Sequence, residues 1–394
     1  MNNKKAFTRI VTLLLSIVML LGSFGVAGAE AAKQTVKVAV MNPMSGINAR
    51  MHQIYKASIE AATRAMKEDD YLKNYELEFE YIDDTGSTEG APAAANYALD
   101  QYGCDVSIGH LLTTMILVSG QYFEDAQVPL LGIVSGPKAV SQGWEYVSIE
   151  TGSDLMQSEA LLEYLVKEKG YEKFSLVNVN TEGGQTAGDH IEKVLEGYGL
   201  KLNTRDEIET LEADLTAVVL KIKEADSDVV ICWGTEVATS NLLNEQIKQL
   251  WGKEIQFAGG TNMAQTTNTQ AWTKENIEGV VFPCGYIFDG SPEHQRFVDY
   301  VIEADPEKMA PADVGARVYD AVYHIATALN NMGVKDVNDE DFSQVLNQHL
   351  RSASFKGVQG QFDYGAYDNG LGLLKLNVGV WGDNYNQLKV WPND

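Results

Sequence analysis

Cysteine is scarce: Cys104, Cys232 and Cys284 are the only three in 394 residues, and no C-x-x-C occurs. That spacing argues against a zinc or dithiol redox site. An oxidising compartment permits one disulfide, but spacing pairs none of the three, and buried free thiols are the expectation. Basic charge is also short, with 30 Lys and Arg against 55 Asp and Glu. A chain this acidic does not seek nucleic acid or an anionic membrane surface. Catalytic signatures are missing too. No G-x-x-x-x-G-K-[ST], G-x-G-x-x-G after a strand, G-x-S-x-G or H-E-x-x-H is found. The six histidines are scattered and read as structural or solvated; only His110, in "IGHLLTT", sits at a strand end. Asp83-Asp84 ends a strand, where capping the next turn is commoner than metal binding. No cofactor is expected.

The N-terminus does carry a signal. Lys4, Lys5 and Arg9 precede an apolar run from Ile10 to Leu21, and Ala27-Gly28-Ala29 offers small residues for cleavage. The run is short for a membrane span, so a removable leader over residues 1–29 is expected, with an uncleaved anchor as the alternative. The mature chain then begins between Glu30 and Lys33. No Cys follows the run, so no lipid attachment is expected, and no later stretch is apolar enough to span a bilayer. The exported chain carries a net charge of −28, since the leader removes three basic residues and no acids from the −25 of the whole. About 360 residues remain, more than one ordinary core accommodates, so two domains are expected.

Strand and helix patterns alternate along both halves. "TVKVAVMN" alternates Val36, Val38 and Val40 with Lys37 and Ala39, then breaks at Pro43. A helical pattern follows from Ala49, then a strand at Leu77–Asp83, a helix at Ala91–Tyr102, and the short strands "DVSIG" and "VPLLGIV" around a helix near Thr114. The unit starts again with a helix capped by Ser153 or Asp154 and stopped at Gly170. Strands at Lys173–Val179, at "DVVICWG", "IQFAG" and "GVVFP" alternate with further helices. Helices at Pro292–Glu303 and Gly315–Met332 come next, then antiparallel strands with Gly and Asn-Gly turns from Gly360. This predicts an α/β protein of two doubly wound, Rossmann-like lobes with parallel sheets. No Pro- or Ser-rich linker separates them.

In such sheets, ligands sit beyond the carboxyl ends of the strands. The loops there are Asn42–Gly46, Leu111–Thr114, Val134–Gly136, Thr181–Gly184, Thr235–Glu236 and Gly259–Asn262. Thr113 and Thr114 open a helix, where hydroxyls and backbone N–H groups suit a carboxylate; plain N-capping uses the same residues. Thr113 and Ser135 together, from adjacent strand ends, favour a ligand. Glu236 suits either a ligand cation or the positive end of its helix.

The segments "VKVAVMNPMSG", "YIDDTGS", "IGHLLTT", "LLGIVSGPKAV" and "DVGARVYDAVYHIATAL", followed by "FKGVQGQFDYGAYDNG", together resemble the extracytoplasmic solute-binding proteins for branched-chain amino acids. The resemblance runs in order along nearly the whole mature chain. It implies a type I periplasmic-binding-protein fold, a ligand in the cleft, and hinge crossings near Thr151, Pro283 and Phe362. Lobe one would be residues 35–151 plus 285–361, and lobe two 152–283 plus 362–394. It also implies delivery of a small-molecule solute to an ABC-transporter permease, by a periplasmic or otherwise extracytoplasmic monomer. Thr113 and Ser135 match the family's hydroxyls on an amino acid's carboxylate and ammonium, and the Ile133 carbonyl matches an ammonium acceptor. Pro43 to Gly46 shape one wall.

Six positions depart from the family. Met51 and Gly183 stand where it tends to place aromatics. Thr261 and Asn262 stand near its acidic ammonium partner, which leaves Glu236 to compensate. Gly86 and Leu112 stand where some members have a disulfide. Thr235 completes the candidate set. The expected solute is therefore larger or more polar than leucine, isoleucine or valine: an aromatic or polar amino acid, an amide or an organic acid. A ligand sensor that docks on a receptor, and an exported α/β enzyme, are the competing functions.

Overall fold

The computed structural model describes residues 33–46, 48–209, 214–265 and 268–392. The expected leader and its cleavage site lie outside the described residues. Two sheets organise the rest. The first holds β1 (Gln34–Asn42), β2 (Tyr75–Asp83), β3 (Val106–Ile108), β4 (Leu130–Gly132) and β5 (Val147–Ile149), all parallel, in the order β2-β1-β3-β4-β5. Helices α1 (Arg50–Glu68), α2 (Gly90–Asn96) and α3 (Thr113–Ala126) make the crossovers. Strand β1 is central, and both of its faces are covered. Val36, Val38 and Val40 enter one apolar cluster and Ala39 and Met41 enter another, leaving only Lys37 exposed. The simple alternation seen in the sequence thus becomes a doubly buried strand.

The second sheet repeats the plan. Helix α4 (Asp154–Glu163) leads into β6 (Phe174–Val179), α5 (Glu182–Gly197), β7 (Leu202–Ile208), α6 (Thr216–Glu224), β8 (Val229–Trp233) and α7 (Val237–Leu250). Strand β9 (Gln256–Gly259), the short helices α8 (Asn268–Ala271) and α9 (Lys274–Ile277), and β10 (Val281–Cys284) complete the parallel order β7-β6-β8-β9-β10. On β8, Val229, Ile231 and Trp233 face one cluster while Val230 and Cys232 face the other.

Helices α10 (Pro292–Ala304), α11 (Asp313–Met332) and α12 (Phe342–Leu350) then return to the first sheet, where Phe297, Val322 and Phe342 join the cluster of Val36 and Val38. A hairpin of β11 (Ser354–Lys356) and β12 (Gln361–Asp363) follows. Strands β13 (Asn377–Trp381) and β14 (Gln387–Trp391) add antiparallel to β10. The chain therefore passes between the sheets three times: after Ile149, after Cys284, and between Lys356 and Asn377. The two orders reverse direction between β1 and β3 and between β6 and β8, which are the places where open α/β sheets form a binding crevice.

Local chemistry sets the element ends. Ser153 caps α4 by accepting from the Met156 N–H, and Gly170 closes the helical run at φ 72°. All three cysteines are buried and free. Among the described residues, no helix is long and apolar enough to cross a membrane.

Candidate functional site

The loops at the strand ends of the first sheet are bonded to one another. After β3 the chain turns at Gly109, where an added Cβ would lie 2.2 Å from the Met41 carbonyl oxygen. His110 is fully buried beside Asp84, with Nδ1 2.7 Å from Oδ2. Asp84 also accepts from the Gly86 N–H, and Asp83 accepts from Met44 and Thr85. These carboxylates tie the loops after β1 and β2 in place.

Helix α3 starts without a side-chain cap, because Leu112 occupies the N-cap position. The Thr113 hydroxyl instead accepts from the Gly136 N–H at 3.2 Å, across to the loop after β4. The Met115 N–H donates to the Leu112 carbonyl at 3.0 Å, so the capacity for an outside acceptor in this turn rests with the N–H groups of Thr113 and Thr114. Ser135 lies next to Gly136, and its carbonyl accepts from the Asp154 N–H at 2.8 Å. Burial pushes the Asp154 carboxyl up from its ordinary range, opposed by the Ser135 side chain and by Arg317.

Arg317 joins the two sheets. It projects from α11 and is only 4 % exposed. Its Nε lies 2.7 Å and its Nη2 2.5 Å from Asp313 Oδ2, an i,i+4 pair on one helix face. Nη1 donates to the Ile133 carbonyl at 3.3 Å, and Nη2 donates to Thr261 Oγ1 at 3.3 Å. Asp313 Oδ1 in turn accepts from the N–H groups of Gly285 and Tyr286, at the second passage between the sheets. On the second sheet, Asn262 donates to the Thr235 carbonyl at 2.8 Å, and Thr235 is buried against Cys232 and Ser240.

The structure ties Thr113 to Gly136 beside Ser135, Ser135 to Asp154, Ile133 to Thr261 through Arg317, and Asn262 to Thr235. The other four candidates stand outside these bonds. Thr114 is exposed beside Thr113, and Met51 packs on the first-sheet core. Gly183 is exposed, with open space where a Cβ would be. Glu236 is exposed at the N-cap of α7 and makes no side-chain cap bond.

Arg317 and Asp154 did not emerge from the sequence as site residues. The signal for Arg317 was an arginine in a largely apolar helix, four residues after an aspartate. A groove of about 500 Å³ lies elsewhere, along Gly357–Gly360, His294 and Lys389, away from the strand ends.

Comparisons with known proteins agree with this architecture. A Leu/Ile/Val-binding protein homolog from Brucella melitensis is 25% identical over 82% of this chain and 86% of its own length. The structure of the substrate-binding protein LivJ from Streptococcus pneumoniae in complex with isoleucine superposes with a TM-score of 0.76 at 18% identity, covering 91% of this chain and 100% of that one. A solute-binding protein from R. palustris in complex with benzoate gives 0.76 at 16% identity, covering 90% of this chain and 95% of that one. Residues 35–372 match the periplasmic binding proteins as a family, and the chain belongs to that family of binding proteins rather than enzymes.

Proposed function

We propose that this protein is the extracytoplasmic solute-binding component of an ABC importer, which captures a small solute between two lobes and delivers it to a permease. The lobes are residues 35–151 plus 285–361 and residues 152–283 plus 362–394. The observation that carries the reading is the convergence of strand-end loops from both sheets on Arg317, through Ile133 on one side and Thr261 on the other. A solute held there touches both lobes, so binding is coupled to their relative position. Thr113, Thr114 and Ser135 face it from the first lobe. Gly183, Thr235, Glu236, Thr261 and Asn262 face it from the second, and Met51 supports one wall.

The relatives support a small solute of acidic or amino-acid type, since their complexes hold isoleucine and benzoate. Mass spectrometry of the solute released from denatured, purified protein tests the reading. A stoichiometric small molecule that rebinds the unfolded-and-refolded protein is expected. Rebinding that is unaffected by Ser135→Ala and by Thr113→Val would show that the site lies elsewhere.

A further inference from the structure

We infer that Arg317 sets the charge of the solute, so that the cleft takes a small organic acid lacking a free α-ammonium. This rests on the inter-lobe site proposed above. An ammonium needs carbonyls or ionised carboxylates that are not already engaged. Near Arg317 most acceptors already hold at least one donor. The Ile133 carbonyl receives Nη1 of Arg317. Asp313 is surrounded by two backbone N–H groups and the guanidinium. Asp84 is paired with His110. The Asp154 carboxyl, raised from its ordinary range by burial, already engages the Ser135 side chain. The Thr235 carbonyl receives Asn262. Glu236 is ionisable and open, but it is exposed, where water screens its attraction.

Donors, by contrast, are in supply. Arg317 has five N–H groups, and the bonds described above employ four of them, leaving one on Nη1. The start of α3 adds the N–H groups of Thr113 and Thr114, and the Thr113 hydroxyl, an acceptor toward Gly136, still has its own proton to donate. A guanidinium fixed by Asp313 does not swing away to make room for a second cation. Bringing an ammonium beside this buried guanidinium would add like-charge repulsion. A carboxylate, or a carbonyl conjugated to one, gains charge-assisted bonds instead.

Matched pairs that differ only in the ammonium test this, measured by calorimetric titration and thermal shift on the mature protein freed of endogenous solute. The probes are 4-methylpentanoate against leucine, and 3-phenylpropanoate with benzoate against phenylalanine. The desamino acid of at least one pair is expected to bind tenfold or more tightly than its amino acid. The double variant Asp313→Asn/Arg317→Met keeps local charge balance and the Oδ1 acceptor, and it should lose that preference. Arg317→Lys keeps the charge but not the fork, and it should weaken acid binding fivefold or more. Amino acids that bind as well as or better than their desamino partners overturn the inference, as does the absence of binding by every acid at millimolar concentration. If leucine wins but Ser135→Ala weakens it, the site stands and only the charge rule falls. If Ser135→Ala leaves every response unchanged, the inter-lobe reading falls with it.

Discussion

At the residue scale, the candidate hydroxyls divide by what they already do. Thr113 holds the loop after β4 by accepting from Gly136, at a point where a Cβ on residue 136 would lie 2.3 Å from its Oγ1. Thr113→Val therefore strands a backbone N–H and also removes the solute donor proposed above. We expect a loss of about 1–3 kcal/mol in stability, and roughly tenfold in affinity, the latter from the lost bond to a charged group. Thr113→Ser should retain most of both. Chemical denaturation alongside titration separates the two effects, and a Val variant with parental stability would show that Gly136 is satisfied in another way. The strand-end threonines and serines were legible in the sequence because loop position and residue type suffice to nominate them. Arg317 was not, because its role depends on Thr261, 56 residues away, and on Ile133, 184 residues away. No local pattern encodes those separations.

At the element scale, α11 is the hub. One face carries Asp313, Arg317, Asp320 and His324, with spacings of four, three and four residues. Each acid or histidine on it secures a different passage between the sheets. Asp313 holds Gly285 and Tyr286, Asp320 accepts from the N–H groups of Val358 and Gln359, and His324 Nδ1 lies 3.0 Å from Glu150 Oε1. Burial pushes the Asp320 carboxyl up to about 7, opposed by its bonds from Gln359 and Val358 and reinforced by Glu150. The folded protein then holds a proton there that the unfolded chain releases near the ordinary aspartate value. Its contribution to stability is present at acid pH and is lost as pH rises through about 7. The melting temperature should fall between pH 5.5 and pH 8.5 by more in the parent than in Asp320→Asn. Parallel profiles would assign the slope to other groups. Elements buried on both faces, such as β6 and β8, were plain in the sequence, β8 as a continuous apolar run and β6 as a mainly apolar one. Strand β7 was missed because it is an edge: only Asp206 and Ile208 are buried, and Arg205 pairs with Asp189 along its exposed side. Helix α12 was missed because it is short, with Phe342, Leu346 and Leu350 as the few residues that mark its inner face.

At the scale of the whole molecule, the three passages and the Arg317 bridge lead to a prediction about motion. Arg317 is anchored to the first-sheet side through α11, while Thr261 belongs to a loop of the second sheet. Separation of the lobes must break the bond between them, whereas the bonds of Asp313, Asp320 and His324 to the connecting segments can persist. Rotation about those segments then costs the Arg317–Thr261 bond, of about 1.5–3 kcal/mol, and the weaker contact of Gln270 with Met309, while the Asp154–Ser135 backbone bond lies beside the first passage. An energy of that size leaves the two arrangements within a range that a small solute can reverse, since a hundredfold preference is about 2.7 kcal/mol. Small-angle scattering should show a more compact particle with solute than without. Thr261→Val removes the bridge without disturbing either core. Its solute-free form should be as extended as the parent's or more so, with affinity reduced roughly threefold to tenfold because more of the binding energy goes into closing the cleft. Identical scattering from parent samples with and without solute, once the latter is verified empty by mass spectrometry, would mean that the lobes do not move and that Arg317 acts on the solute alone.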